Sequence, residues 1–150
     1  MFYLIELIMK HKLYQIEVVL PVSKEIAFKS ISKELESWWG RQSEKISNVG
    51  QKFKVSWKEP WYEFLVIEYL PTNKMIWKCI DANQIIDGLE GVQKEWVDTE
   101  LVWNLTEIDE NQCRLDFIHQ GLIPEFICYD FCSSTWDYFL TNKLKNYLNH

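Results

Sequence analysis

Apolar residues recur with two different periods along this chain, and the change of period divides it. From Tyr14 to about Gly121 they tend to alternate with polar ones, whereas from Tyr129 to Leu148 they return every four residues. Alternation marks half-buried strands, and a spacing of three to four marks an amphipathic helix. In the helical stretch Cys132, Trp136, Leu140, Leu144 and Leu148 fall in one line, with Phe139 and Tyr147 beside it. Ser134, Thr141, Lys145 and Asn149 take the opposite side, and no Pro or Gly intervenes, so the spacing predicts one long uninterrupted helix. On a regular wheel Lys143 falls inside the apolar arc between Trp136 and Tyr147. Its stem would run along the core there, with the ammonium either returned to water or facing an acidic ligand group.

The alternating part begins with a strand over Tyr14–Leu20, closed by Pro21. Ser23 is an N-cap for a helix over Lys24–Ser32, and a second short helix over Glu34–Trp39 stops at Gly40. Trp38 and Trp39 are adjacent and point in different directions, so at most one of them is expected inside. Lys52–Trp57 puts Phe53, Val55 and Trp57 on one face. Strands over Tyr62–Tyr69 and Met75–Ile80 follow, separated by turns at Glu59–Pro60 and Pro71–Lys74. Gln84–Gly91 reads as a loop or a lid over an opening. Lys94–Glu107 is the longest expected strand, with Thr99, Leu101, Trp103 and Leu105 on one face. After a turn at Asp109–Asn111, Cys113–Gly121 returns with Leu115, Phe117 and His119 together. Short strands joined by tight turns make an antiparallel sheet. The expected class is therefore α+β: a curved antiparallel sheet of about six or seven strands wrapped around the long C-terminal helix, with two short helices after the first strand. A cavity between sheet and helix is geometrically easy in such a pairing.

Composition changes this picture in one respect. Eight Trp, seven Tyr and eight Phe are more large rings than a core of this size needs. They either fill a wide sheet–helix interior or line a cavity, since ligand pockets are mostly apolar with a few placed polar groups. The net charge of −6 argues against nucleic acid as a partner and against adsorption to an anionic membrane. Cys79, Cys113, Cys128 and Cys132 are too scattered for a disulfide framework, and Cys128 with Cys132 would be only half of a metal site; buried free thiols in a reducing cytoplasm are expected. The apolar opening Met1–Met9 is too short to span a bilayer and lacks the flanks of a signal peptide. Residues 1–11 read as an N-terminal extension, with Met9 a candidate for the true start.

Several segments together resemble a known family. They are Trp38–Trp39–Gly40, Val66–Pro71 leading to Ile76–Trp77, Thr99–Leu105, Leu115–Gly121, and Trp136 with Leu140 and Leu144. In order and spacing they resemble the START-related, birch-pollen-allergen-like superfamily (SRPBCC), and within it the branch of the activator of the 90-kDa heat-shock chaperone ATPase. The resemblance covers about residues 12 to 149 and implies a helix-grip fold, with residues 12–150 as a single domain. It implies function weakly, because the superfamily holds lipid carriers, cyclases, hydrolases and chaperone regulators. The residue before the helix tryptophan is commonly glycine in such sequences. Here it is Thr135, which would reshape any cavity beside it.

No phosphate loop, dinucleotide fingerprint, nucleophile elbow or zinc-protease motif occurs, so no cofactor, metal or catalytic residue is assigned. Of three histidines, His11 and His150 lie near the termini, and His119 falls on the inward face. It is either a core histidine bonded to a neighbour or a group that orients a ligand or takes its proton. Glu95, Asp98 and Glu100 form a carboxylate cluster on the expected long strand, but alternation sends Asp98 and Glu100 outward, away from paired acid–base work. The candidate cavity wall comprises Trp39, Phe53, Val55, Trp57, Trp77, Leu101, Trp103, Phe117, His119, Cys132, Trp136, Phe139, Leu140 and Lys143. The leading expectation is a binder of a small hydrophobic or amphipathic molecule. The alternatives are a chaperone-regulating interaction module, with Trp38 or Trp61 as exposed contact rings, and a cyclase- or hydrolase-like enzyme using His119.

Overall fold

A computed structural model describes residues 13–149. The expected extension, the start at Met9, His11 and His150 lie outside the described residues. Seven strands form one antiparallel sheet: β1 (Tyr14–Leu20), β2 (Arg41–Gln42), β3 (Lys52–Ser56), β4 (Trp61–Leu70), β5 (Lys74–Asn83), β6 (Glu100–Asp109) and β7 (Gln112–Gln120). Their spatial order is β1-β7-β6-β5-β4-β3-β2, so the first strand closes against the last. Register shifts within β4 at Glu63/Phe64 and Val66/Glu68 mark bulges, which add local twist and help the sheet curl into a half-barrel. The arrangement is the helix-grip fold that the sequence resemblance implied.

Ser23 caps α1 (Lys24–Lys33), its Oγ accepting from the Ile26 amide. The expected second helix is a single 3-10 turn over Leu35–Ser37. Leu35 O there receives the amides of Trp38, Trp39 and Gly40 at 3.2, 2.7 and 3.1 Å. Because one carbonyl gathers three successive amides, the chain pivots sharply and buries both tryptophans. Trp38, expected outside, is 3% exposed and donates from Nε1 to Ser30 O. Gly40 is needed at this corner because a Cβ there would lie 2.8 Å from the Trp57 ring.

The terminal helix runs from Tyr129 to Leu148 without a break but not with one winding. Tyr129–Tyr138 (α2) and Lys145–Leu148 (α3) are α-helical, and Phe139–Leu144 between them is π-helical. Cys132, Trp136, Leu140, Leu144 and Leu148 are all buried. Lys143 is exposed, which corrects its placement inside the arc. The reason is the π segment, whose wider turn rotates every later residue relative to a regular wheel. The Tyr14 hydroxyl donates to Asp137 Oδ1 at 2.6 Å and ties β1 to this helix. Among the described residues, no helix is long and apolar enough to cross a membrane.

Candidate functional site

At one end of the half-barrel the sheet and the terminal helix part to leave a cleft of about 270 Å3. Three elements build it. β4 supplies Tyr62 through strand alternation, and the corner after the 3-10 turn supplies Trp39, with Trp57 packed edge-on against it at 5.6 Å. The Gln84–Gly91 segment is a loop across the opening, as expected, turned by Gly88 and Gly91 at positive φ. It contributes Gln84, Ile85 and Ile86, and the terminal helix contributes Phe131, Cys132, Thr135, Trp136 and Phe139.

The back wall is a column of stacked rings. Tyr62 stacks on Trp96 at 4.1 Å and 24°, and Trp96 stacks on Trp136 at 5.7 Å and 16°. Trp96 is held in the column because the expected strand over Lys94–Glu107 does not begin until Glu100. Residues 94–99 instead coil through successive turns, with Asp98 at φ 75°. Glu95 then reaches the start of the terminal helix and accepts from the amides of Ile127 at 2.7 Å and Cys128 at 3.0 Å. A carboxylate on those amides offsets the positive end of the helix dipole and fixes the cleft's third wall.

His119 is fully buried behind the ring column and does not border the cleft. Thr99 Oγ1 donates to Trp96 O at 2.6 Å, so at 2.8 Å from His119 Nε2 it serves as an acceptor. The ring therefore carries its proton on Nε2, and Nδ1 accepts from Trp136 Nε1 at 3.1 Å. Both nitrogens are engaged, and burial pulls the histidine down to about 3, so it stays neutral. With no lone pair free and no path to the cleft, His119 has no general-base geometry. Its work is to orient Trp136.

Of the candidate wall residues, Trp39, Trp57, Cys132, Trp136 and Phe139 border the cleft. Phe53, Val55, Trp77, Leu101, Trp103, Phe117 and Leu140 are buried, but they pack the closed interior beside it. Their rings fill the space a larger cavity would need: Phe53 meets Trp77 at 4.9 Å, Trp77 meets Trp103 at 5.0 Å, and Trp103 meets Phe117 at 4.5 Å. Lys143 faces solvent. The sequence reading missed Tyr62, Trp96 and Phe131. Alternation with Phe64 and Val66 was the available signal for Tyr62. For Trp96 it was a lone indole on a face otherwise made of Lys94, Asp98 and Glu100.

All four cysteines are buried and free. Cys132 Sγ borders the cleft, 3.4 Å from both Gln84 Oε1 and Trp96 Nε1. Burial pushes the Tyr62 hydroxyl well above the usual tyrosine range, so it remains protonated. Among the described residues no group of three or more His, Cys, Asp or Glu side chains comes together to hold a metal.

No protein-family model matches the chain, and no curated protein does either. Solved structures with the same fold include the Aha1 dimer of Colwellia psychrerythraea, 20% identical with a TM-score of 0.71 over 89% of this chain and 93% of that one. Protein CV1439 of Chromobacterium violaceum is 17% identical with a TM-score of 0.70, over 93% of this chain and 99% of its own. PFC0360w of Plasmodium falciparum, described as an HSP90 activator, is 19% identical with a TM-score of 0.60, over 86% and 90%. At these identities the likeness establishes the fold.

Proposed function

We propose that this protein binds a small, mostly apolar molecule in the cleft between the β4 end of the sheet, the Gln84–Gly91 loop and the terminal helix. The observation that carries this reading is the cleft itself: walled by the indoles of Trp39, Trp57, Trp96 and Trp136, and lined, among the described residues, by no charged side chain. Ligand sites are concave, mostly apolar and commonly ~300–1,000 Å3 in volume. At about 270 Å3 this one suits a compact ligand and excludes full enclosure of a sterol or long lipid. At its mouth Ile85 is 47% and Phe131 50% exposed, apolar surface that an occupant would cover. Native mass spectrometry of gently purified protein, followed by calorimetry with the mass it reveals, is the test. A saturable one-to-one complex that is lost in Thr135→Trp, whose larger ring fills the cleft, is expected. Equal binding by Thr135→Trp would reject the site.

A second reading, contact with a heat-shock chaperone, draws support from the fold neighbour described as an HSP90 activator. Trp38 cannot serve as the contact ring, because it is buried, and Trp61 is half-covered beneath Lys54 and Lys94. Ile127, Phe131 and Tyr138 on and before the terminal helix are the exposed apolar side chains that would serve. The measurement is chaperone ATPase activity with and without the protein, and no change at saturating concentration removes this reading.

A further inference from the structure

At Tyr62 and Thr135 the cleft's remaining hydrogen-bonding capacity is accepting. The side-chain donors left on its wall among the described residues are the Trp39 indole N–H and the second amide hydrogen of Gln84, whose first goes to Val92 O at 2.9 Å. Trp57 Nε1 donates to Trp39 O at 3.0 Å, Trp96 Nε1 to Cys132 Sγ at 3.4 Å, and Trp136 Nε1 to His119 Nδ1 at 3.1 Å. The Tyr62 hydroxyl donates to Gln84 Oε1 at 2.7 Å, and the Thr135 hydroxyl donates to Cys132 O at 2.9 Å. A hydroxyl carries one hydrogen and two lone pairs. Tyr62 and Thr135 have therefore spent their hydrogens and still hold acceptor capacity, and both border the cleft. We infer that the ligand is a flat, uncharged aromatic of about two fused rings bearing an O–H or N–H donor, the naphthol or indole class. The inference rests on the cleft-binding reading above and adds the ligand's chemistry to it.

Size, wall chemistry and polarity each narrow the class. An apolar cavity of ~150 Å3 takes one benzene ring, so about 270 Å3 takes roughly two. Walls made of indole faces and edges favour another ring, which can stack or meet them edge-on. Among the described residues neither an ammonium nor a carboxylate lines the cleft, and an ion buried without a counter-charge is strongly disfavoured. A ketone or carboxylate oxygen placed against Tyr62 and Thr135 would meet lone pairs and stay unpaired, whereas a ligand O–H or N–H would be satisfied by either oxygen.

The test is calorimetry on the full chain with 2-naphthol, 2-methoxynaphthalene, 2-naphthoate and dodecanoate. The expected result is saturable binding of 2-naphthol, with 2-methoxynaphthalene about tenfold weaker, the size of one net hydrogen bond, and the two carboxylates weaker still. That tenfold advantage should shrink in Thr135→Val or in Tyr62→Phe, near-isosteric changes that each remove one acceptor oxygen; thermal melts verify that both variants fold. If 2-methoxynaphthalene or 2-naphthoate binds as tightly as 2-naphthol, or if both variants keep the full advantage, the donor assignment is overturned while cleft binding stands. Tightest binding by dodecanoate, lost in Thr135→Trp, overturns the aromatic class and leaves the cleft reading in place. If none of the four binds, the ligand class is overturned, and if the native protein also carries no co-purified mass, the cleft reading falls with it.

Discussion

His119 shows how a single buried side chain sets the shape of a site it does not touch. It accepts from Trp136 on one side and meets Thr99 on the other, and Thr99 in turn holds Trp96 O, so one ring braces two of the cleft's indoles. The brace depends on neutrality, because protonating Nδ1 would turn an acceptor into a donor facing an N–H. In the folded protein burial holds His119 at about 3, against 6.5 in the open chain. Between those values the unfolded chain takes up a proton that the native state refuses. The stabilising effect is thus fully present above pH 6.5 and is lost progressively as pH falls toward 3, at about 1.4 kcal/mol per pH unit for one proton. Urea titrations from pH 7 to pH 4 should show this slope in the native protein and its absence in His119→Gln. That variant should also be less stable at pH 7 by about 1–3 kcal/mol, since buried partners lose their matched geometry. Equal pH slopes for the two proteins would contradict the assignment.

The terminal helix is where regular periodicity gives way to an irregular winding. Five apolar residues at steps of four drift by about 40° per step on an α-helix, or roughly 160° from Cys132 to Leu148. A strictly α-helical segment would carry Leu148 toward the far side, yet Leu140, Leu144 and Leu148 are all buried. The π-helical segment Phe139–Leu144 absorbs the drift, and in doing so it turns Lys143 outward. Lys143→Ala should therefore change stability by less than about 0.5 kcal/mol, the usual range for surface positions, and leave ligand affinity unaltered; a larger shift in a denaturation midpoint would place the ammonium elsewhere. Deleting exposed Thr141 should give a regular α-helix in which Leu140, Leu144 and Leu148 keep their buried face. The expected result is a folded protein with retained near-ultraviolet dichroism, and a molten spectrum would refute it. The same physics separates what the sequence discloses from what it hides. Strict alternation disclosed Phe53, Val55, Leu115 and Phe117 as inward, because a strand's period is fixed at two. The helix was visible as an apolar stripe, whereas its π segment was not, because a wheel presumes a constant turn. Trp38 was misplaced and Trp96 was missed for a related reason: each sits in a coil of turns, where facing is decided by backbone hydrogen bonds and not by a period.

Taken whole, the molecule is a half-barrel packed with rings except at one end, where the loop at Gln84–Gly91, the corner at Trp39 and the terminal helix fail to meet. The closed portion is rigid in the manner of all dense interiors, so the cleft inherits a fixed shape from Phe64, Trp77 and Trp103 behind it. Charge is kept to the outside, where the pair Lys94 with Asp81 is solvent-exposed and Arg114 with Asp116 is partly so. Affinity for an uncharged ligand should consequently be unchanged, within error, between low and high salt, because screening acts on exposed charges and no charged side chain among the described residues lines the cleft. A steep salt dependence by calorimetry would point to an ionic contact instead. The ring packing also has an optical consequence. Trp38, Trp39, Trp57, Trp77, Trp96, Trp103 and Trp136 form one connected series, each indole 5.0 to 6.3 Å from another by ring centroid. At such separations excitation energy absorbed by one indole migrates through the rest before it is emitted. Seven chromophores then glow as one, and because four of them wall the cleft, a single bound molecule can dim light that was absorbed deep in the interior.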